Sequence, residues 1–288
     1  MTEGFAADWL TLREPFDHAA RSMALARKLA DRLPARRPIL LDLGAGTGSL
    51  FRFLAPIIGR GQDWVLVDAD AALLEDAFGR TAAWARRQGF AATSPGDALL
   101  VSTPTGLWRM QALQRDLAGI AGRPLALPDT DAVVCSALLD LVSSAWLRRL
   151  IAGFRVPFLA CLSVDGRDAW APKHPSDTLV RAAFRRDQGR DKGFGPALGG
   201  AAISVALRAL LSHGFSIATA PSDWRVPRTA LRMQRALIDG AADAARNARP
   251  SHAAAIADWQ AARLRQAVRA RLAIRIGHRD ILAMPPGG

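Results

Sequence analysis

The run ILLDLGAGTGSL, residues 39–50, sets a carboxylate, Asp42, just ahead of three alternating glycines, Gly44, Gly46 and Gly48. Glycines at that spacing let a backbone turn sharply and lie against a ligand that side chains would push away, at the head of the next helix. The chemistry implied is the holding of a cofactor by the main chain. A dinucleotide matches poorly, because its G-x-G-x-x-G fingerprint needs a third glycine where Ser49 stands, and Asp42 would repel a pyrophosphate. Ile39, Leu40, Leu41 and Leu43 read as a parallel strand buried on both faces. The following helix is expected to start near Thr47 or Gly48, and an ordinary tight strand-to-helix turn is the plainer reading of the same residues.

The D-x-G-x-G-x-G spacing resembles the first motif of class I S-adenosylmethionine (SAM)-dependent methyltransferases. The resemblance implies that Asp42 helps hold the cationic amino end of SAM, while Gly44, Ala45, Gly46 and Gly48 pass beneath its methionine and ribose portions. Further on, WVLVD (residues 64–68) is a second apolar strand ending in a carboxylate. There the resemblance implies Asp68, with Ala69 beside it, as acceptor of charge-assisted hydrogen bonds from the ribose hydroxyls. Asp70 reads instead as the N-cap of a helix from Ala71 onward.

Residues 80–107 show no clear periodicity, so the third strand is placed at residues 108–113, with Asp116 and Leu117 as the implied adenine-contacting pair. Asp97, in PGDAL, is the alternative acidic position after strand three. DAVVCS (residues 131–136) is the fourth strand, followed by ALLDLV and a helix over residues 143–154. By resemblance this strand end faces the transferable methyl, which brings Ser136 and Asp140 near the chemistry. Asp140 is either a partner for substrate or an N-terminal charge favouring the following helix.

The elements that must position these residues alternate strand and helix. Strands are expected at residues 157–164, 215–219 and within 271–284, and helices at 176–186 and 201–213. The fold class expected is α/β, a Rossmann-like seven-stranded mainly parallel sheet with helices on both faces. By resemblance the seventh strand runs antiparallel. The 288 residues, half of them hydrophobic, read as one domain with an N-terminal helical cap over 1–35 and a helical insertion over 225–270. No apolar run is long enough to span a bilayer and the acidic start MTEGFAADWL lacks a signal peptide's basic region, so a cytoplasmic location is expected.

Cys135 and Cys161 lie inside buried strands and read as reduced core residues, and the five histidines show no zinc spacing, so no metal site is expected. The net charge of +12 comes from 35 Arg against only 3 Lys, a bias that looks more like a GC-rich coding sequence than selection for phosphate contacts. Residues 225–280 carry twelve of the Arg and four Asp, across two expected helices at 228–248 and 252–271. Ile256, Gln260, Leu264 and Val268 are expected to form the apolar face of the second, with Arg265 and Arg269 projecting elsewhere. That face has three open destinations: a cover for the acceptor pocket, a homodimer contact, or an acidic partner.

Two segments are candidates for the acceptor side. In residues 9–21, Pro15 suits a helix's first turn, Asp17 and Arg21 share a face, and Arg13 is free to point inward. Residues 187–200 form a glycine-rich loop that embeds Lys192. An oxygen acceptor would use a general base such as Asp140, whereas an amine need only arrive deprotonated. The N-P-P-Y type signature is absent after strand four, where SALLD stands. The leading expectation is methyl transfer to an O or N atom of a small molecule, with Arg13, Asp140 and Lys192 on the acceptor side and no specific nucleic acid or membrane partner. The alternatives are an RNA or protein methyltransferase using the basic C-terminal region, and a SAM-binding or nucleoside-binding protein without catalysis.

Overall fold

A computed structural model describes residues 7–120 and 130–287. The chain begins with α1 (Ala7–Ala20) and α2 (Met23–Ala30), then β1 (Ile39–Leu43), α3 (Ser49–Ile58), β2 (Gln62–Asp68) and α4 (Ala71–Arg87). Three strands follow, β3 (Ala91–Thr93), β4 (Ala98–Thr103) and β5 (Gly106–Gln114), then β6 (Ala132–Ser136), α5 (Ser144–Ala152), β7 (Phe158–Ala171), α6 (Asp177–Gln188) and α7 (Ala202–Ser212). The last part holds β8 (Ser216–Pro221), β9 (Trp224–Val226), α8 (Leu231–Ala248), α9 (Ala253–Val268) and β10 (Ala273–Met284).

These strands make one sheet in the order β3-β4-β5-β2-β1-β6-β7-β10-β8, with β9 added beside β10. The pairs among β5, β2, β1, β6 and β7 are parallel, and β10 is antiparallel to both β7 and β8. The middle strand β1 shows how the sequence builds the core, because successive side chains point to opposite faces. Leu40 packs with α2, α3 and α4 through Leu29, Phe51, Leu54 and Leu74, whereas Leu41 and Leu43 pack with α5 and α7 through Leu147, Ile203 and Leu210. Helices therefore cover both faces, as a parallel sheet requires. Asp42 is the one charged residue in that strand, and it stands at the carboxyl end where the glycine turn begins.

Several expectations need correction. Residues 80–107 are ordered: α4 runs to Arg87, and β3 and β4 add an antiparallel edge to β5, which itself spans the expected third strand. The signal was masked because Gly89, Pro95 and Gly96 divide the segment into pieces too short for periodicity to show. β7 continues seven residues beyond Val164, where the sequence turns polar, because its outer half pairs only with β10 and needs no burial on both faces. Pro15 lies inside α1, which starts at Ala7, and so does not open a helix. Residues 1–6 of the expected N-terminal cap lie outside the described residues.

The helical insertion is accounted for within the chain. α8 packs between α6 and α9, and Trp259 of α9 lies edge-on to Trp170 in the outer half of β7 at 5.3 Å. The apolar face of α9 matches the expected one only in part: Ile256 is buried and Leu264 packs against the core, but Trp259, Arg263 and Ala267 are buried too and Val268 is 61% exposed. Arg263 is fully buried. Its guanidinium pairs with Asp177, donates to the Pro172 carbonyl at 2.6 Å and lies over both indole rings. One of the twelve arginines of residues 225–280 is thus an internal fastener of the insertion.

Candidate functional site

A cavity of about 870 Å³ opens above the carboxyl ends of β1, β2, β5 and β6, within the range of small-ligand sites. Its floor is the glycine turn. Gly44 and Ala45 donate their N–H groups to the Val67 carbonyl at 2.9 and 3.0 Å, which ties the turn to β2. Gly44, Gly46 and Gly48 have φ of 65°, 52° and 78°, the left-handed region that costs other residues roughly 1–2 kcal/mol. Gly46 has a second reason: a Cβ there would stand 3.3 Å from Leu10 of α1. Gly48 is different. It does not line the cavity, and a Cβ on it would meet Ala77 and Arg52, each at 3.3 Å, so its glycine serves helix packing rather than a ligand.

Asp42 lines this floor and is buried, and neither carboxylate oxygen has a hydrogen-bond partner among the described residues. Burial pushes its pKa up to about 8, Asp68 adds to that, and the nearby Arg21 guanidinium opposes it. Asp68, at the end of β2, accepts from the Gly46 N–H at 2.8 Å and the Asp70 N–H at 3.1 Å. Asp70 caps α4, accepting from the Ala72 N–H at 2.9 Å as its position suggested. Ala45, Ala69, Asp116, Leu117 and Ser136 all line the cavity. Asp116 stands two residues past the end of β5, whereas Asp97 is exposed in the turn between β3 and β4 and lies outside the lining.

Arg21 is the main residue that sequence reasoning misplaced. It does not pair with Asp17; Arg13 does, through bonds of 2.9 and 3.2 Å. Arg21 turns inward and is 5% exposed, donating to Ser49 Oγ at 3.1 Å and Ser136 Oγ at 3.0 Å, with Phe53 beneath its guanidinium. The cavity therefore holds a buried carboxyl and a buried guanidinium close enough to influence each other, with neither bonded to a charged group among the described residues. No local pattern marks Arg21, because its direction depends on where α1 ends over the sheet.

α1 roofs the cavity with Trp9, Leu10, Arg13 and Asp17. It is held by Glu14, which forks onto the buried Arg52 at 2.6 and 2.7 Å, and by Trp224 of β9, whose indole donates to Asp17 at 3.0 Å. Lys192 and Phe194 close another wall. Their loop is fixed rather than loose: Leu198 and Gly199 donate N–H groups to the Val142 and Asp140 carbonyls at 3.0 and 2.9 Å. Phe194 packs edge-on to Trp146 at 5.3 Å, and Trp146 donates to the Leu117 carbonyl at 2.7 Å. One indole thus braces both the loop and the segment after β5.

Asp140 is not among the lining residues. Its carboxyl is buried and its pKa is raised to about 6, chiefly by burial, against the lowering influence of its own and the Val164 backbone N–H groups and of Arg13. Ala137, which does line the cavity, has φ of 52°, and strained backbone of this kind clusters at working sites. Among the described residues no cluster of His, Cys, Asp and Glu could hold a metal ion, and no helix is long and apolar enough to cross a membrane.

No protein-family model matches the chain, and the search of curated proteins finds no match. Among solved structures the chain is similar to a provisionally named type II methyltransferase of Anaeromyxobacter dehalogenans, at 18% identity over 92% of this chain and 96% of that one, with a TM-score of 0.48. It is also similar to SAM-dependent methyltransferases in complex with S-adenosyl-L-homocysteine from Geobacter sulfurreducens (13% identity, 99% and 100% coverage, TM-score 0.45) and Thiobacillus denitrificans (14%, 98% and 99%, 0.44). These likenesses are distant; the sheet order and the cavity residues carry the functional conclusion.

Proposed function

We propose that the chain is a cytoplasmic SAM-dependent methyltransferase acting on a small molecule. The observation that carries this reading is the buried carboxyl of Asp42 and the buried guanidinium of Arg21 in one cavity over a glycine floor. A buried charge without a bonded counter-charge is costly, so an unpaired guanidinium beside a carboxyl that can give up its proton to a cationic ligand suits a zwitterion. The amino-acid head of SAM is such a group, and the residues present fit it. Asp42 would take its ammonium and Arg21 its carboxylate. Asp68 keeps lone pairs for the ribose hydroxyls, and Asp116 and Leu117, which line the same cavity, would meet the adenine edge.

When bound, SAM supplies a methyl group made electrophilic by its cationic sulfur. The protein's part is to align an acceptor and exclude water. α1 and the loop bearing Lys192 and Phe194 wall the cavity for that purpose. No histidine lines it, Asp17 is occupied by Arg13 and Trp224, and Asp140 lies outside the lining. An oxygen or nitrogen acceptor would then arrive already deprotonated, which removes Asp140 from the role of general base. Calorimetry with SAM and S-adenosylhomocysteine (SAH) tests binding. Incubation with labelled SAM in a metabolite extract, followed by mass spectrometry, tests transfer. Failure to bind either compound would refute the proposal; binding with no methylated product would leave a binding protein only.

A further inference from the structure

We infer that the acceptor carries an oxyanion, a carboxylate or phosphate, which the Lys192 ammonium receives at the cavity wall. This deepens the methyltransferase reading and rests on it. Among the described residues three cations line the cavity, Arg13, Arg21 and Lys192, and they differ in how they are engaged. Arg13 forks onto Asp17 with two hydrogen bonds, so its charge is balanced inside the protein. Arg21 is bonded to two serines and faces Asp42, the position read above as the amino-acid end of SAM.

Lys192 is left. It is half-buried, and no hydrogen bond or ion pair engages its ammonium among the described residues. A lysine on a mobile loop would be solvated and need no explanation, but this backbone is pinned on both sides. Asp191 Oδ1 accepts from the Gly193 and Gly195 N–H groups at 2.7 and 2.9 Å, which folds the loop around Lys192. Beyond it, Phe194 is seated on Trp146, and Leu198 and Gly199 are tied to the segment after β6.

The loop therefore presents one cation to the cavity in a fixed frame, and a half-buried ammonium with no partner gains most from a charged acceptor of hydrogen bonds. None of the carboxylates that line the cavity among the described residues is bonded to Lys192, and Asp42 is the one beside Arg21, read above as the seat of the ammonium of SAM. Asp17 is paired with Arg13, Asp68 and Asp70 are held by backbone N–H groups, and Asp116 accepts from the Ala118 N–H at 2.8 Å. Trp9, Leu141 and Phe194 line the same cavity and suit an apolar body on the anionic ligand.

The test is calorimetric titration of SAH-loaded protein with benzoate, hexanoate and phenyl phosphate, each set against its neutral counterpart, benzamide, hexanamide and phenol. We expect at least one anion to bind about tenfold more tightly than its counterpart. The phosphate arm, compared with the two carboxylates, distinguishes the kind of oxyanion. Lys192→Gln should bring each pair to within about twofold and Lys192→Arg should keep the preference, with SAH affinity in both variants within about twofold of wild type. Absence of any anion preference, a preference that survives Lys192→Gln, or a parallel fall in SAH affinity would overturn the inference. SAH binding to wild type is measured first; if that fails, the cofactor reading is wrong on its own account, and the panel is read on the free protein by the same criteria.

Discussion

Replacing Asp42 by Asn should move folding stability and cofactor affinity in opposite directions. In the free protein the carboxyl is enclosed, its oxygens have no partner among the described residues, and its pKa stands at about 8. In the unfolded chain it titrates near the usual value of about 3.9. Between those values the folded chain holds a proton that the unfolded chain has released. Stability is therefore greatest below about pH 4 and is lost as the pH rises through about 8. At pH 7 the offset spans about three units, or about 4 kcal/mol at 1.36 kcal/mol per unit. Asn removes that cost but leaves a buried amide, which costs about 1–3 kcal/mol where it is not bonded. The net gain is about 1–3 kcal/mol, seen as a rise in Tm of about 2–6 °C for a chain of this size.

For SAM or SAH the sign reverses. The ammonium loses a buried charged partner, a change of about 2–5 kcal/mol that weakens binding from about thirtyfold to several thousandfold. Calorimetry offers a third readout, because at pH 7 the free site is about nine-tenths protonated and binding should release about 0.9 proton. The measured heat would then vary with the ionisation enthalpy of the buffer for wild type and lose that component in Asp42→Asn. A variant that melts lower than wild type and binds SAH equally well would refute the reasoning.

Asp68→Ala should weaken SAM binding by about 1.5–3 kcal/mol through loss of charged hydrogen bonds, and Gly46→Val should abolish it; calorimetry that finds Gly46→Val normal would remove the glycine floor from the site. Arg263→Ala should destabilise the fold by about 3–5 kcal/mol, since it strands Asp177 beneath the insertion, whereas the pair Arg265→Gln and Arg269→Gln should leave urea unfolding unchanged. Filter binding to tRNA at about 0.15 M salt should show no submicromolar complex for wild type, and one that vanishes in the Arg265, Arg269 pair would favour an RNA substrate. His278, whose pKa is lowered to about 4 by burial and then by Arg13, contributes stability above about pH 6.5 that is lost as the pH falls toward 4. The loss amounts to about 3 kcal/mol, and His278→Gln should flatten that limb of the stability curve.

What the sequence alone determined follows from short-range rules. An apolar run, a carboxylate and alternating glycines dictate a buried strand and a left-handed turn wherever they occur, so β1, its turn and the paired strand ending in Asp68 were legible without a fold. Alternation of strand and helix located most of the remaining elements, because each needs only its own periodicity. Tertiary structure alone decided which side chains share the cavity. Asp140, between apolar residues after β6, had the local setting of a catalytic group, yet lies outside the lining. Arg21 had the setting of an intrahelical partner for Asp17, yet bonds to serines 28 and 115 residues away. Gly48 and Arg263 show the same limit, since both are explained by neighbours from other elements. Local pattern specifies a backbone's conformation because steric clashes and pairing are short-ranged. The direction and charge partner of a long side chain depend on how packed elements converge, and no window of the sequence contains that geometry.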